Sequence, residues 1–222
     1  MRTATPKKPE AVNGAATKES APVGIVIDRI QPKVLELEII GITPLLVCAW
    51  SEKAKRQMLD KQMKKATRGK EAKDPEADYK ASLYVSTEGW TGVPAGGIKG
   101  ALVNACRACD LAMTLAKRLL FIRAQGVDKE GRGLVRIYGE HKLHQAMVRI
   151  DNGSTADIRF RAVYPQWSMK LEIEFLENMI SPEQVANLVE MAGYIEGLCE
   201  HRPGAPKSCT GDGGRFKIRE GS

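Results

Sequence analysis

His141 and His144 lie three residues apart in the run HKLH. Paired imidazoles of this kind could act as general base and general acid in cleaving RNA through its own 2′-hydroxyl, a reaction that needs no metal. The run reads as a solvated loop, and the chain offers only three histidines in all, so no catalytic residue is assigned. Cys106 and Cys109 form a single CxxC, but it sits in an apolar helical stretch rather than on a metal-binding knuckle. A zinc site would need two more ligands, which only long-range folding could recruit from His141, His144, Cys199, His201 or Cys209. Buried, unreactive thiols are the expectation, with no metal and no cofactor. The segment GVPAGGIKG, Gly92 to Gly100, lacks the GxxxxGK[ST] spacing and carries Gly100 where Ser or Thr would stand, which argues against nucleotide hydrolysis. A glycine-rich turn feeding a helix can nevertheless offer backbone N–H groups and Lys99 to a phosphate.

Other side chains suit binding better than catalysis. Trp50, Trp90, Trp167, Tyr84 and Tyr164 could stack on unpaired bases. Aromatics make up only 5% of the chain, so most are needed for packing, and Trp90, between Gly89 and Gly92, is the one expected to be exposed. Cations are unevenly placed. Ten Lys or Arg face six acids between Glu52 and Lys80, and ten face four between Lys99 and Arg149, whereas Leu171 to Glu200 holds seven glutamates and no Lys or Arg. Lys53, Lys55, Arg56, Lys61, Lys64, Lys65 and Arg68 fall on one expected helix, and Lys99 and Arg107 on the next. Arg159 and Arg161 alternate in IRFRAVY, as do Arg215, Lys217 and Arg219 in GRFKIR, so each set projects from one face of its strand. A strand face carrying only cations packs poorly on a core; it faces solvent or holds an anion.

Positioning these groups requires a fold, and the composition supplies one. With 43% hydrophobic and 27% charged residues over 222 positions, the chain can bury a sizeable core. Its net charge of +7 and pI near 9.2 favour anionic partners. No run approaches the roughly 18 apolar residues of a membrane span and the N-terminus has no apolar signal core, so a soluble protein is expected. Five irregularly spaced cysteines point to a reducing compartment, the cytoplasm. Residues 1–27, rich in Pro, Ala, Lys and Ser, read as a flexible basic tail, and 28–222 as a single domain. Leu35, Leu37 and Ile39 mark a strand, and Ser51 opens a helix running towards Gly69. Residues 69–78, with Pro75, read as an exposed loop. An Ala-rich helix follows the glycine-rich turn, and LVRIYG, AMVRI and IRFRAVY then read as strands. LEIEF leads into Ser181, Pro182, Glu183 and Gln184, a capping box opening a helix with Val185, Leu188, Val189, Ala192 and Ile195 on one face. The likeness of LELEII to LEIEFL suggests two strand-helix units, hence an α+β, ferredoxin-like βαββαβ fold with an antiparallel sheet, helices on one face and inserted loops.

The order of these features resembles the RAMP superfamily, ferredoxin-like proteins that include the backbone subunits of CRISPR effector complexes. The matching parts are the strand LELEIIGITPLL, the turn and helix VPAGGIKGALVNACR, the unit LEIEFLENMISPEQVANLVEMAG and the terminal GDGGRFKI, spanning most of residues 33 to 219. Pro94, Lys99, Gly100 and, displaced along the helix, Arg107 correspond to the family's turn-and-helix pattern; Gly211, Gly213, Gly214 and Arg215 correspond to its glycine-rich loop. The resemblance implies a phage- or CRISPR-associated subunit that grips the backbone of single-stranded RNA or DNA and stacks in repeats along it, as a homo-oligomer or with other effector subunits. Some relatives cut RNA with an aspartate in the loop after the first strand; ITPLLVCAWS has none. The leading expectation is therefore a non-enzymatic binder of single-stranded nucleic acid. The alternatives are a metal-independent endoribonuclease using His141 or His144, and an assembly protein whose acidic helix docks on a neighbour.

Overall fold

The structure, a computed structural model, describes residues 29–65, 73–150, 155–205 and 210–221, and the fold below is that of the unit Gln31–Ser222. The tail expected over 1–27 lies outside the described residues, as do Arg68 and Cys209. In chain order the elements are β1 (Pro32–Gly41), β2 (Leu45–Val47), α1 (Glu52–Gln62), α2 (Pro75–Ala81), β3 (Tyr84–Val85), β4 (Thr91–Pro94) and α3 (Ala95–Ala105). A 3-10 turn at Cys106–Ala108 precedes α4 (Met113–Leu119), β5 (Phe121–Ile122), β6 (Gly126–Val127), β7 (Gly133–Arg136) and β8 (Lys142–Ile150). Last come β9 (Thr155–Tyr164), β10 (Ser168–Leu176), α5 (Pro182–Ile195) and β11 (Phe216–Ile218).

One antiparallel sheet runs β11-β1-β10-β5. With the elements between them set aside, β1, α3, β5, β10, α5 and β11 form a βαββαβ succession with strand order 4-1-3-2, so the fold is α+β and ferredoxin-like. The two similar strands are its central pair, with Leu35 opposite Ile173 and Leu37 opposite Leu171. Their period of two puts Leu37, Ile39, Leu171, Ile173 and Phe175 into one core with Ile98 and Leu102 of α3 and Val185, Leu188, Val189 and Ala192 of α5. Burying each such side chain stabilises the fold by about 1.5–3 kcal/mol. The Ser181 hydroxyl accepts the Gln184 N–H while the Gln184 side chain accepts the Ser181 N–H, which starts α5 as its capping box requires. Against β11, α5 comes so near that a Cβ on Gly193 would lie 2.1 Å from the Phe216 carbonyl oxygen.

Several local expectations change. The helix partnering β1 in the core is α3, not α1, which contributes no buried residue. Ser51 does cap α1, accepting the Ala54 N–H, but the helix closes at Gln62 because Lys64 takes the left-handed conformation at φ 53°. Pro75 does not mark a loop: it is the first residue of α2, capped by Asp74, whose carboxylate accepts the Glu76 and Ala77 N–H groups. The glycine-rich segment Gly92 to Gly100 is no turn but the end of β4 running directly into the first turns of α3, and the Ala-rich helix is two helices broken at the 3-10 turn. As expected, LVRIYG, AMVRI and IRFRAVY hold strands, and these join two further antiparallel sheets, β2-β9-β8 and β3-β4-β7-β6. Among the described residues no helix is long and apolar enough to cross a membrane.

Candidate nucleic-acid interface

The cations that the sequence places on strand IRFRAVY do not stand alone. On β9, Asp157, Arg159 and Arg161 share a face. Lys73 bonds Asp157 and the Ile158 carbonyl; Arg159 lies 3.9 Å from both Asp157 and Glu200; the Arg161 Nε donates to Glu200 at 3.0 Å. The strand face expected to hold only cations is thus a ladder of three cations and two carboxylates. The hydrogen-bonding Lys73 ammonium holds the Asp157 carboxyl below the usual carboxylate range. Glu200 reaches the ladder because its backbone bridges to Leu46 of β2, which pairs with β9. One of the seven glutamates of the acidic stretch therefore neutralises a basic strand instead of lying apart from it.

Beside the ladder, the chain leaves β2 at Cys48, Ala49 and Trp50. The Ala49 N–H donates to the Ser82 carbonyl and the Tyr84 hydroxyl to the Cys48 carbonyl, so this exit is fixed to the end of α2 and to β3. Ser82 also accepts the Ala162 N–H of β9 and donates to the Tyr79 carbonyl. Two clefts flank the exit. One, of 410 Å³, is walled by Trp50, Tyr84 and Leu83 with Lys53, Lys129 and Arg132 at its margin; the other, of 430 Å³, carries Lys73, Arg159 and Arg161. Trp50 lines both and is 49% exposed.

The first cleft is braced by Asp128, only 7% exposed in the turn between β6 and β7. Burial works to raise its pKa, but hydrogen bonds from the Arg132 N–H and guanidinium, with the charges of Arg132 and Lys55, hold the carboxyl below the usual range. Arg132 in turn lies over the Tyr84 ring, 5.3 Å from its centroid. Lys55, expected as a free contact, is committed: it pairs with Glu52 and Glu130 and lies 5.7 Å from the Trp50 centroid. Lys65 pairs with Asp60 at 3.1 Å. Lys53, Arg56, Lys61 and Lys64 are exposed.

The remaining cations are elsewhere. Among the described residues neither cleft includes Lys99, Arg107, Arg215 or Lys217. The Lys99 ammonium sits 4.0 Å from the Phe121 ring centroid, and Arg215 stacks on Tyr194 at 4.7 Å with a buried Nε that has no hydrogen-bond partner. Arg107 and Lys217 are exposed. Trp90 is not the exposed tryptophan: its Nε1 donates to Glu88 and its ring covers Gly126, where a Cβ would fall 2.5 Å from it. Trp167 and Tyr164 belong to the core, and burial pushes the Tyr164 phenol up to about 12.

The histidines do not form an acid–base pair. His141 is half-buried, 2.5 Å from the Tyr79 hydroxyl through Nδ1 and edge-on to Tyr164, so it is not in a solvated loop. His144, three positions on and within β8, projects to the other side of the chain and stands opposite Arg161. Of the CxxC, Cys106 is buried and donates to the Leu102 carbonyl, whereas Cys109 is exposed, against expectation, because the helix has already ended. Burial raises the thiol pKa of Cys106 and Cys48, and brings that of Cys199 to about 12, which disfavours the thiolate a metal would need. Among the described residues no three His, Cys, Asp or Glu side chains are placed to hold a metal.

Lys73, Lys129 and Arg132, and the exposure of Trp50, escape sequence reasoning. The available signal for Trp50 was its place just before the N-cap of a helix with a thin apolar stripe, a junction that exposes side chains.

No protein-family model matches the sequence, and no curated protein is similar to it. Among solved structures the chain is similar to a chain of the type III-B Cmr-beta assembly bound to cognate target RNA, with TM-score 0.49 and 12% identity over 85% of this chain and 59% of that one. It is also similar to Cmr6 from Pyrococcus furiosus, with TM-score 0.39 and 9% identity over 86% of this chain and 100% of that one. This chain spans about three fifths of the first of them. At these scores neither likeness says what this chain binds.

Proposed function

We propose that this chain holds single-stranded nucleic acid by its phosphate backbone, without cutting it, as one cytoplasmic subunit among several along the strand. The observation that carries the reading is α1. A helix that places no side chain in the core, yet exposes Lys53, Arg56, Lys61 and Lys64, is a surface for anions. The Lys73, Arg159 and Arg161 ladder beside it, with one cation more than carboxylates, extends the same field. Binding rather than cleavage is supported by the separated histidines and by the absence of an aspartate in residues 42–51 after β1. The acidic stretch Leu171 to Glu200 supports neighbouring subunits, because it complements a cationic partner.

The test is titration of labelled 20-nucleotide RNA and DNA, single- and double-stranded, across a salt series with chelator present. The logarithm of affinity is expected to fall linearly with that of salt, by about 0.7 per phosphate neutralised on a single strand, and the RNA is expected to stay intact. Affinity indifferent to salt, or 2′,3′-cyclic phosphate ends lost on His141→Ala, would overturn it.

A further inference from the structure

From the surroundings of Trp50 we infer that its indole is a stacking platform for one unpaired nucleobase, with the adjoining phosphates held by the cations of the flanking cleft that carries Lys73, Arg159 and Arg161. This inference rests on the proposed nucleic-acid reading and gives it a defined place.

Large aromatic side chains are expensive to leave in water, and this protein covers its other tryptophans: Trp167 is 5% exposed and donates to the Thr43 carbonyl, while Trp90 is tied to Glu88 and closed over Gly126. Trp50 alone is half open. Its backbone is nevertheless held firmly, because Ala49 before it bonds Ser82 and Ser51 after it caps α1. An exposed ring on a fixed backbone is already ordered, so stacking on it loses little conformational freedom.

Charges of both signs surround the ring, three cations and five carboxylates in the first cleft and three cations and two carboxylates in the second. Cations lie on either side of it, Arg132 and Lys129 in one cleft and Arg159 and Lys73 in the other. The first cleft includes apolar and aromatic lining from Leu83, Val85 and the Tyr84 ring; of its carboxylates Asp128 is committed to Arg132, Glu130 and Glu52 to Lys55 and Asp74 to the start of α2, while Asp78 lines both clefts. A flat, uncharged base meets apolar and aromatic surface there, while its phosphates reach the cationic excess of the second cleft. A bare anion would find the cations but gain nothing from the indole.

That difference gives the experiment. Equilibrium affinities of the full chain are measured for dT20 and for an abasic strand of the same length and charge, with wild type, Trp50→Phe, Trp50→Ala and the control Trp90→Phe. Wild type is expected to prefer dT20 by about tenfold, within the range that stacking on one aromatic supplies. The preference should shrink in Trp50→Phe, vanish in Trp50→Ala and persist in Trp90→Phe, with abasic affinity unchanged throughout. A preference that survives Trp50→Ala, or a loss shared equally by both strands, overturns the platform while leaving backbone binding in place. Failure of wild type to bind either strand overturns the underlying reading itself.

Discussion

Two charged surfaces are built from the same alternating pattern and balance their charges differently. On the central sheet, the face turned away from the core carries Glu36 and Glu38 of β1 beside Glu172 and Glu174 of β10, with Glu36 directly opposite Glu172, and it also carries Lys170, opposite Glu38, and Lys217 of β11. Arg123 bonds Glu174 and Arg219 lies 3.3 Å from Glu38, which answers two of the four carboxylates. Around β9 and α1 cations exceed carboxylates, and Glu200 is drawn in to offset part of the excess. The contrast teaches that carboxylates and cations answer one another on the open face of the sheet, whereas the inserted elements carry an excess of cations that the proposed binding would use, with the sheet as their scaffold.

The comparison breaks most completely if the scaffold goes. Ile173, fully buried between the two helices and the sheet, should cost about 2–5 kcal/mol on Ile173→Ala, read as a lower denaturation midpoint with both surfaces lost together. A smaller loss is expected on the cationic side from Asp128→Asn, about 1–3 kcal/mol, because a buried carboxylate bonded to a guanidinium and two N–H groups loses its charge. That same group gives a pH signature. Its folded pKa lies below the unfolded one, so its stabilisation is present above the ordinary aspartate range near 3.9 and disappears as pH falls through the depressed folded value. Asp157 acts in the same direction. Thermal melts from pH 6 down to pH 2 should therefore fall less steeply for Asp128→Asn than for wild type; parallel curves would remove Asp128 from the account. The sheet side responds with the opposite sign. Glu172→Gln relieves the pair facing Glu36 and should stabilise by about 0.2–1 kcal/mol, most clearly at low salt.

Much of the scaffold is legible in the sequence because it rests on local rules. The period of two in LELEII and LEIEFL fixes the central strands, and the Ser181 to Gln184 capping box fixes the start of α5. Which helix completes the first strand-helix unit is not local: α1 follows β1 more closely, but α3 has the apolar faces that a core selects. Pro75 misleads because proline both breaks helices and begins them, and the aspartate before it decides between the two. Of the candidate site, the cations of α1 and β9 can be read as residues but not as pairs. Glu200 is thirty-nine positions from Arg161, and no periodicity links them. Trp90 draws attention by its glycine neighbours, yet those glycines, at Gly92 and across the sheet at Gly126, make room for its ring to lie down.

The central claim, that the nucleic acid is gripped at α1 and not on the sheet, is tested most directly by two charge reversals measured side by side at low salt. Arg56→Glu with Lys64→Glu should weaken binding of a single-stranded 20-mer by about tenfold or more and lower the salt slope by about 1.4, two phosphate contacts at 0.7 each. Glu36→Lys with Glu172→Lys should leave binding as tight as in wild type or tighter. The reverse outcome, unchanged binding in the first pair with loss in the second, would contradict it.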